Sequence, residues 1–302
     1  MELRHLRYFI AVAEELHFRR AAEKLHIVQP ALSKQISSLE HELGILLLNR
    51  DRRHVSLTEA GQAFFREAIE VVAQADGAMR RALAVSKGEV GRLNIGFIHP
   101  ALAELLPHTI RRLRNNYPDI MLTMTETYSR TSIERILNRS MDVSFIRMPV
   151  EDRSEYSYEI VSEEPVMLIV PGDHRLATSE TVTMEDIAGE NLMLISRHLE
   201  PKLYDYYIAA CNDAGFSPRI SHEVNSTAVA IGLVAGGLGV TFAPESSRTA
   251  ARHNVVYREL TGSNLKLTMG IIWHSERRLA VVDNFLRLRP WGPAMLPQQL
   301  ET

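Results

Sequence analysis

The chain has 302 residues, 45% apolar and 24% charged, with 34 Lys and Arg against 37 Asp and Glu for a formal net charge of −3. Such a composition builds ordinary globular cores and excludes disorder as the main state, and the length predicts about two domains at ~100–200 residues each. The average conceals a division, because residues 1–92 hold 14 basic and 12 acidic side chains whereas residues 93–302 hold 20 and 25.

Leu3, Leu6, Ile10 and Ala13 recur at steps of three and four, which predicts one apolar face on a first helix. A second helix starts near Phe18 and continues through the small pair Ala21-Ala22 to Leu25. A third opens at Pro30, which suits a helix start, runs through Leu32, Ile36, Leu39 and Leu43, and stops at Gly44. Only His26-Ile27-Val28 separates the second helix from Gln29-Pro30, the connection length of a helix-turn-helix. With the apolar stripe buried, the third helix presents Gln29, Ala31, Ser33, Lys34, Ser37 and Ser38, with Gln35 at its edge. Short hydroxyl and amide side chains enter a major groove and hydrogen-bond base edges, and a lysine meets phosphate. Next come Arg50, Arg52, Arg53 and His54, then the alternating Val55 and Leu57, and Thr58 as a helix cap, which reads as a basic two-stranded wing. Taken alone, the arginine run is equally a solvated basic turn.

The segments HFRRAAEKLHIVQPALSKQISSLEHELG and LLNRDRRHVSLTEAG resemble the winged helix-turn-helix of the LysR-type transcriptional regulators, with the same spacings over residues 1 to about 60. The resemblance implies that Gln29, Pro30, Ser33, Lys34 and Gln35 lie in the base-reading region and that Arg50, Arg52 and Arg53 belong to the wing. Arg19 and Asp51 depart from the family's habit, and Asp51, an acid beside the phosphates, is left out of the contact set.

From Thr58 to about Lys87 there is no proline, and Phe65, Ala68, Val72, Ala75, Met79 and Ala82 form a heptad seam. Either this helix pairs with a second copy or it lies on its own module; the resemblance implies a dimerising linker helix and a pseudo-palindromic site on double-stranded promoter DNA. Ser86, Gly88 and Gly91 make a hinge.

RLNIGFI, the helix PALAELLPHTIRRLRNNYP, IMLTMTE, the helix RTSIERILNR and MDVSFIR follow as βαβαβ, which predicts a parallel sheet. After a linker, PVMLIVPG, ENLMLIS, PRISHEV and LGVTFAP read as four strands, with PKLYDYYIAACNDAG and STAVAIGLVAG as helices. LKLTMGIIWH and SERRLAVVDNFLRLR return to the first lobe. The expected class is α/β with an N-terminal all-α winged helix-turn-helix. Its domains are the module at 1–60, a linker helix and hinge at 61–91, and an effector domain at 92–302. Lobe I of that domain is 92–162 plus 266–302, and lobe II is 163–265. The double crossing resembles the effector domain of LysR-type regulators, itself similar to periplasmic solute-binding proteins.

Open α/β sheets bind ligands at the carboxyl ends of their strands. The segments expected there contribute His99, Pro100 and Ala101, then Ser129 and Arg130 beside Tyr128, then Arg147, Ser196 and Arg197, and finally Asn225 and Ser226. Helix N-termini bearing hydroxyls suit a carboxylate, and Arg147 or Arg197 would add a charge-assisted pair, so a small organic acid is the expected effector. Ser129, Asn225 and Ser226 are equally fit to be plain caps, and Arg147 to pair an acid across the hinge. DVSFIRMP and IGFIHPALAELLP are most similar to the subgroup governing catabolism of aromatic acids. There a serine in the first loop often belongs to the site, and the matching position here is Pro100, which has neither hydroxyl nor N–H.

A purely solute-binding role leaves the first ninety residues without a purpose. An enzyme lacks its groups: no GxSxG, no P-loop, and Cys211 on an apolar helical spacing with no second cysteine to pair with. Twelve histidines without HExxH or a Cys/His cluster imply no metal, and no cofactor is expected. The charged N-terminus and the absence of any ~18–20-residue apolar run predict a cytoplasmic protein away from the membrane. The resemblance further implies a homodimer through the linker helix, a homotetramer, and contact with RNA polymerase if the protein activates.

Overall fold

The computed structural model of the chain describes residues 1–50, 54–103, 105–250, 252–276 and 279–288. Two compact units result, one from Met1 to Ala84 and one from Val85 onward.

The first unit contains α1 (Leu3–Glu15), α2 (Phe18–Lys24), α3 (Gln29–Leu43), the strands β1 (Leu48–Arg50) and β2 (Val55–Leu57), and most of the long α4 (Glu59–Ser86). Its core joins Phe9, Val12, Ala21, Ala22, Leu32, Ile36, Leu39, Leu47 and Ala68. The buried face of α1 is turned from the expected one. Phe9 and Val12 are buried with Leu6 and Ala13, while Leu3 is exposed and Ile10 only half-buried. The cause is aromatic: the Phe9 ring lies 5.3 Å from Phe64 and 6.5 Å from Phe65 of α4, a contact Ile10 has no ring to make. α3 has Pro30 in its first turn and ends at Gly44, whose φ of 70° is left-handed.

β1 and β2 pair antiparallel, Leu48 opposite Leu57 and Arg50 opposite Val55, which makes the expected wing. Thr58 then ties the wing to α4, its hydroxyl donating to Leu46 O at 2.8 Å and accepting Gly61 N–H at 2.9 Å. Gly61 is required by space: a Cβ there would stand 2.0 Å from Leu47 O. Of the predicted α4 seam, Phe65, Ala68 and Val72 pack into the module's own core, whereas Met79 and Ala82 remain exposed.

The second unit runs β3 (Gly91–Phe97), α5 (Leu105–Asn116), β4 (Ile120–Glu126), α6 (Ser129–Leu137), β5 (Val143–Arg147), β6 (Tyr156–Pro171), β7 (Asn191–Ile195), α7 (Pro201–Asp213), β8 (Arg219–Val224), α8 (Thr227–Ala235), β9 (Val240–Pro244), β10 (Val255–Glu259), β11 (Lys266–His274) and α9 (Ala280–Arg287). One nine-stranded sheet orders them β4-β3-β5-β11-β6-β9-β7-β8, with β10 against β6. β4, β3 and β5 are mutually parallel, as are β8, β7 and β9, and β11 and β6 run antiparallel between the two sets. Each set has its own core, with Leu93, Ile95, Leu113, Phe145 and Phe285 on one side and Leu168, Leu194, Tyr207, Cys211 and Phe242 on the other. These are the two lobes.

Three elements differ from expectation. The helix predicted from Pro100 is split into a 3-10 turn at His99–Leu102 and α5. α5 starts at Leu105, so Pro107 falls in its first turn, where a missing N–H breaks no helical bond. The supposed linker before PVMLIVPG is the first half of β6, a continuous strand of 16 residues whose exposed positions recur at Tyr158, Ile160, Glu163 and Pro165 before burial becomes complete from Val166. Glutamates 159, 163 and 164 masked this pattern. β10 has no counterpart among the expected strands; it covers an edge of β6 with Val255 opposite Pro171.

Candidate functional site

On the first unit, Gln29, Pro30 and Lys34 are exposed along α3 and Ser33 is half-exposed. Among the described residues none hydrogen-bonds the side chains of Gln29, Ser33 or Lys34, so their polar atoms face outward for a partner. Gln35 is already engaged, because its Oε1 lies 2.9 Å from His5 Nε2 while His5 Nδ1 accepts Glu2 N–H at 3.2 Å. That leaves only its amide nitrogen for a base edge.

Arg50 also has internal work. Its Nη2 donates to Glu40 Oε2 at 2.6 Å, its Nη1 to Ser37 Oγ at 3.2 Å, and its guanidinium carbon lies 5.2 Å from the Phe18 ring centre. Glu40 is buried, and its Oε1 accepts the N–H groups of Leu47 at 2.9 Å and Leu48 at 3.0 Å. One carboxylate therefore fixes the root of the wing to α3, and Arg50 closes the clamp instead of standing free toward phosphate. Arg52, Arg53 and Asp51 lie outside the described residues.

On the second unit a cavity of about 350 Å³ opens between the lobes. Every strand that reaches it does so by its carboxyl end. Ile98, His99 and Pro100 follow β3, Thr127 and Tyr128 follow β4, Arg147 ends β5, Ile195 ends β7, and Asn225, Ser226 and Thr227 follow β8; Glu126, Glu200, Leu203 and Val229 complete the wall. This is the switch-point crevice expected of parallel sheets.

Bonds cross it. Tyr128 OH donates to Asn225 O at 2.9 Å, and Ser129 donates both its N–H, at 2.7 Å, and its hydroxyl, at 3.0 Å, to Glu200 Oε1. Within lobe I, Arg147 N–H donates to Ser129 Oγ at 3.1 Å, and beyond the cavity lining Lys202 Nζ donates to Pro149 O at 3.3 Å. The Nη1 of Arg147 is sealed from solvent with no hydrogen-bond partner. Burial pushes the Arg147 guanidinium pKa down, against the weaker upward pull of Tyr207, Glu164 and Glu200. Burial likewise holds the Glu200 carboxyl above its ordinary range, outweighing the Ser129 bonds and Arg147.

Of the residues expected here, His99, Pro100, Arg147, Asn225 and Ser226 line the cavity. Ser226 also caps α8, accepting Val229 N–H at 3.3 Å. Ala101 is fully buried in the lobe I core behind the wall. Ser129 is turned to Glu200, and Arg130 is exposed beside Glu134 at 3.2 Å. Ser196 binds Glu223 and lies 2.7 Å from His198 Nδ1, and Arg197 is held outward by a bidentate pair with Asp205 at 2.7 and 3.1 Å. Acids have claimed Ser129, Arg130, Ser196 and Arg197, some nearby and some far along the chain. Sequence reasoning missed Glu200, an acid at a helix head before Pro201 with nothing local to mark it, together with Thr127 and Glu126.

Cys211 is buried in the lobe II core, which pushes its thiol up to about 11, the state of an inert core residue. Among the described residues no helix is long and apolar enough to cross a membrane, and no group of three or more His, Cys, Asp or Glu is placed to hold a metal.

Residues 3–62 match the bacterial regulatory helix-turn-helix protein, lysR family, and residues 86–288 match the LysR substrate binding domain. The HTH-type transcriptional regulator AlsR of Bacillus subtilis (strain 168) is 35% identical over 288 residues, 95% of each chain. The Hca operon transcriptional activator HcaR of Escherichia coli (strain K12) is 34% identical over 288 residues, 95% of this chain and 97% of its own. Full-length CbnR, solved with its target DNA, is similar in structure with a TM-score of 0.82 at 26% identity, covering 96% of this chain and 98% of that one.

Proposed function

This chain belongs to the LysR family of transcriptional regulators, and from that premise we propose that the molecule it answers to is a small organic acid held between the two lobes. The protein is a DNA-binding regulator and not an enzyme: a helix-turn-helix unit for DNA is followed by a unit for a small-molecule effector.

One observation carries the acid: Arg147, in the cavity wall, has a nitrogen sealed from water and without a partner. A cation so placed costs free energy until an anion or another acceptor meets it. His99, Asn225, Ser226 and Thr227 supply polar groups around the same space, and Ile98, Leu203 and Val229 an apolar body. Pro100 has no donor to offer, so recognition rests on the Arg147 side and the head of α8. An aromatic acid fits this mixture of one cation and apolar wall. The test is a thermal-shift screen of small aromatic and aliphatic acids on the full chain. A ligand at 100 times its Kd adds ~2.7 kcal/mol. No shift with any acid overturns the reading.

For DNA, Gln29, Ser33 and Lys34 act as the principal reading and phosphate groups, with Pro30 starting the helix and Gln35 contributing its amide nitrogen. Arg50 aims the wing, and Arg52 and Arg53 meet the backbone. Two modules pair through the outer part of α4, where Val71, Met79, Leu83 and Val85 are exposed apolar residues beside Ala75, Ala78 and Ala82. Such pairing creates a two-fold site, and dimers associate further into a tetramer that contacts RNA polymerase where it activates. The working compartment is the cytoplasm, beside the DNA. Light scattering of Met79→Glu and Leu83→Glu tests the pairing: an unchanged mass refutes it.

A further inference from the structure

Glu200 stands at the head of α7 in lobe II, yet its carboxyl is spent on lobe I. Ser129 opens α6, and both its N–H and its hydroxyl are donated to Glu200 Oε1, at 2.7 and 3.0 Å. Glu200 and Ser129 are both buried, so water does not compete for these bonds. A free helix head with a serine is the kind of place where an exogenous carboxylate docks. Here the chain has filled it with a group of its own.

The same side chain ends the cavity. Glu200 and Arg147 line the inter-lobe space and also a second cavity of about 400 Å³ that lies against Ile133, Leu137 and Met148. They form the wall common to both, so a molecule in the first space meets Glu200 where it would otherwise extend toward α6. Any second acidic group on that molecule then faces a carboxyl oxygen whose donors are already taken.

We propose that Glu200 is a resident carboxyl that occupies the head of α6 from across the cleft and thereby selects ligands with one acidic group over ligands with two. The inference rests on the acid reading of the cavity. It adds that one set of anion donors is closed, that Arg147 and the α8 side hold the remaining set, and that the two lobes are tied through Ser129 before any ligand arrives.

The test uses the full chain as wild type, Glu200→Ala and Glu200→Gln, with 4-nitrobenzoate and terephthalate, which match in shape and differ by one acidic group. Binding is read by calorimetry, and the lobe tie by hydrogen exchange at the Ser129 amide. Wild type is expected to bind the monoacid at least ~10-fold more tightly than the diacid. In Glu200→Ala the ratio of the two affinities shifts toward the diacid by at least ~10-fold, the size of one charge-assisted anion contact. Ser129 exchange accelerates at least ~10-fold in Glu200→Ala and far less in Glu200→Gln, whose carbonyl still accepts. Equal preference for the two acids in wild type and Glu200→Ala overturns the selection. Unchanged Ser129 exchange in Glu200→Ala overturns the occupancy. If neither acid binds any variant, the acid reading of the cavity fails and the selection falls with it, while Ser129 exchange still decides whether Glu200 holds the head of α6.

Discussion

Replacing Glu40 by alanine removes the group on which Leu47 N–H, Leu48 N–H and Arg50 Nη2 converge. A buried donor left without a partner costs ~1–3 kcal/mol, and breaking a buried ion pair from one side ~3–5 kcal/mol. The terms overlap, and Arg50, with 35% of its side chain exposed, regains water once released. A loss of ~2–4 kcal/mol in the hold on the wing root is therefore expected. At ~1.4 kcal/mol per factor of ten, exchange of the Leu47 and Leu48 amides accelerates ~30- to 1,000-fold. Glu40→Gln keeps an acceptor for both amides and loses only the charge-assisted bond to Arg50, so its acceleration stays below ~10-fold. The assay is amide exchange on the full chain, with operator affinity measured alongside: the alanine variant loses affinity through a loosened wing although α3 is untouched. Leu47 and Leu48 exchange within threefold of wild type in Glu40→Ala would refute the clamp.

Lys34→Ala should weaken binding to all DNA sequences alike and reduce the salt slope by ~1, whereas Gln29→Ala should cost ~1–3 kcal/mol at the operator and relax selectivity; the reverse pattern in salt titrations contradicts the assignment. Gly61→Ala puts a Cβ 2.0 Å from Leu47 O and should destabilise the module by ~1–3 kcal/mol in urea unfolding, and a neutral result would show that α4 shifts freely. Cys211, with its thiol pushed up to about 11, should react with a disulfide reagent at neutral pH only as fast as the lobe opens; rapid labelling of folded protein would be inconsistent with its burial. Burial raises the Glu200 carboxyl, so the fold favours its protonated form. Its contribution to stability is complete below the ordinary glutamate value of ~4.3 and fades as pH rises through the raised one. Glu200→Gln should remove that part of the Tm profile, and an unaltered profile speaks against it.

The helical module was legible because each of its signals is local: Pro30 and Gly44 bound α3, and the small Ala21-Ala22 pair sits buried at 0 and 2% exposure. The orientation of α1 was not, since choosing Phe9 over Ile10 requires the rings of Phe64 and Phe65, more than fifty residues away. The cleft shows the same boundary. Alternation and turn residues brought His99, Arg147, Asn225 and Ser226 to strand ends, where the structure has them. Which of the other polar groups were free depended on partners distant in sequence, and Glu200 reaches Ser129 across 71 positions. For Arg197 the claimant, Asp205, is only eight positions away, on the first turns of α7 just after the loop that carries the arginine.

β6 enters the core of lobe I at Val161 and leaves through that of lobe II at Val166, Leu168 and Val170, and β11 pairs with it over nine residues with one irregularity between Met269 and Gly270. The two expected crossings between the lobes are thus made of hydrogen-bonded ribbon. A ribbon bends poorly in its own plane but tolerates a change of twist. For the ligand proposed between the lobes, such a frame turns binding into torque along a shared spine, borne within the second unit by β6 and β11.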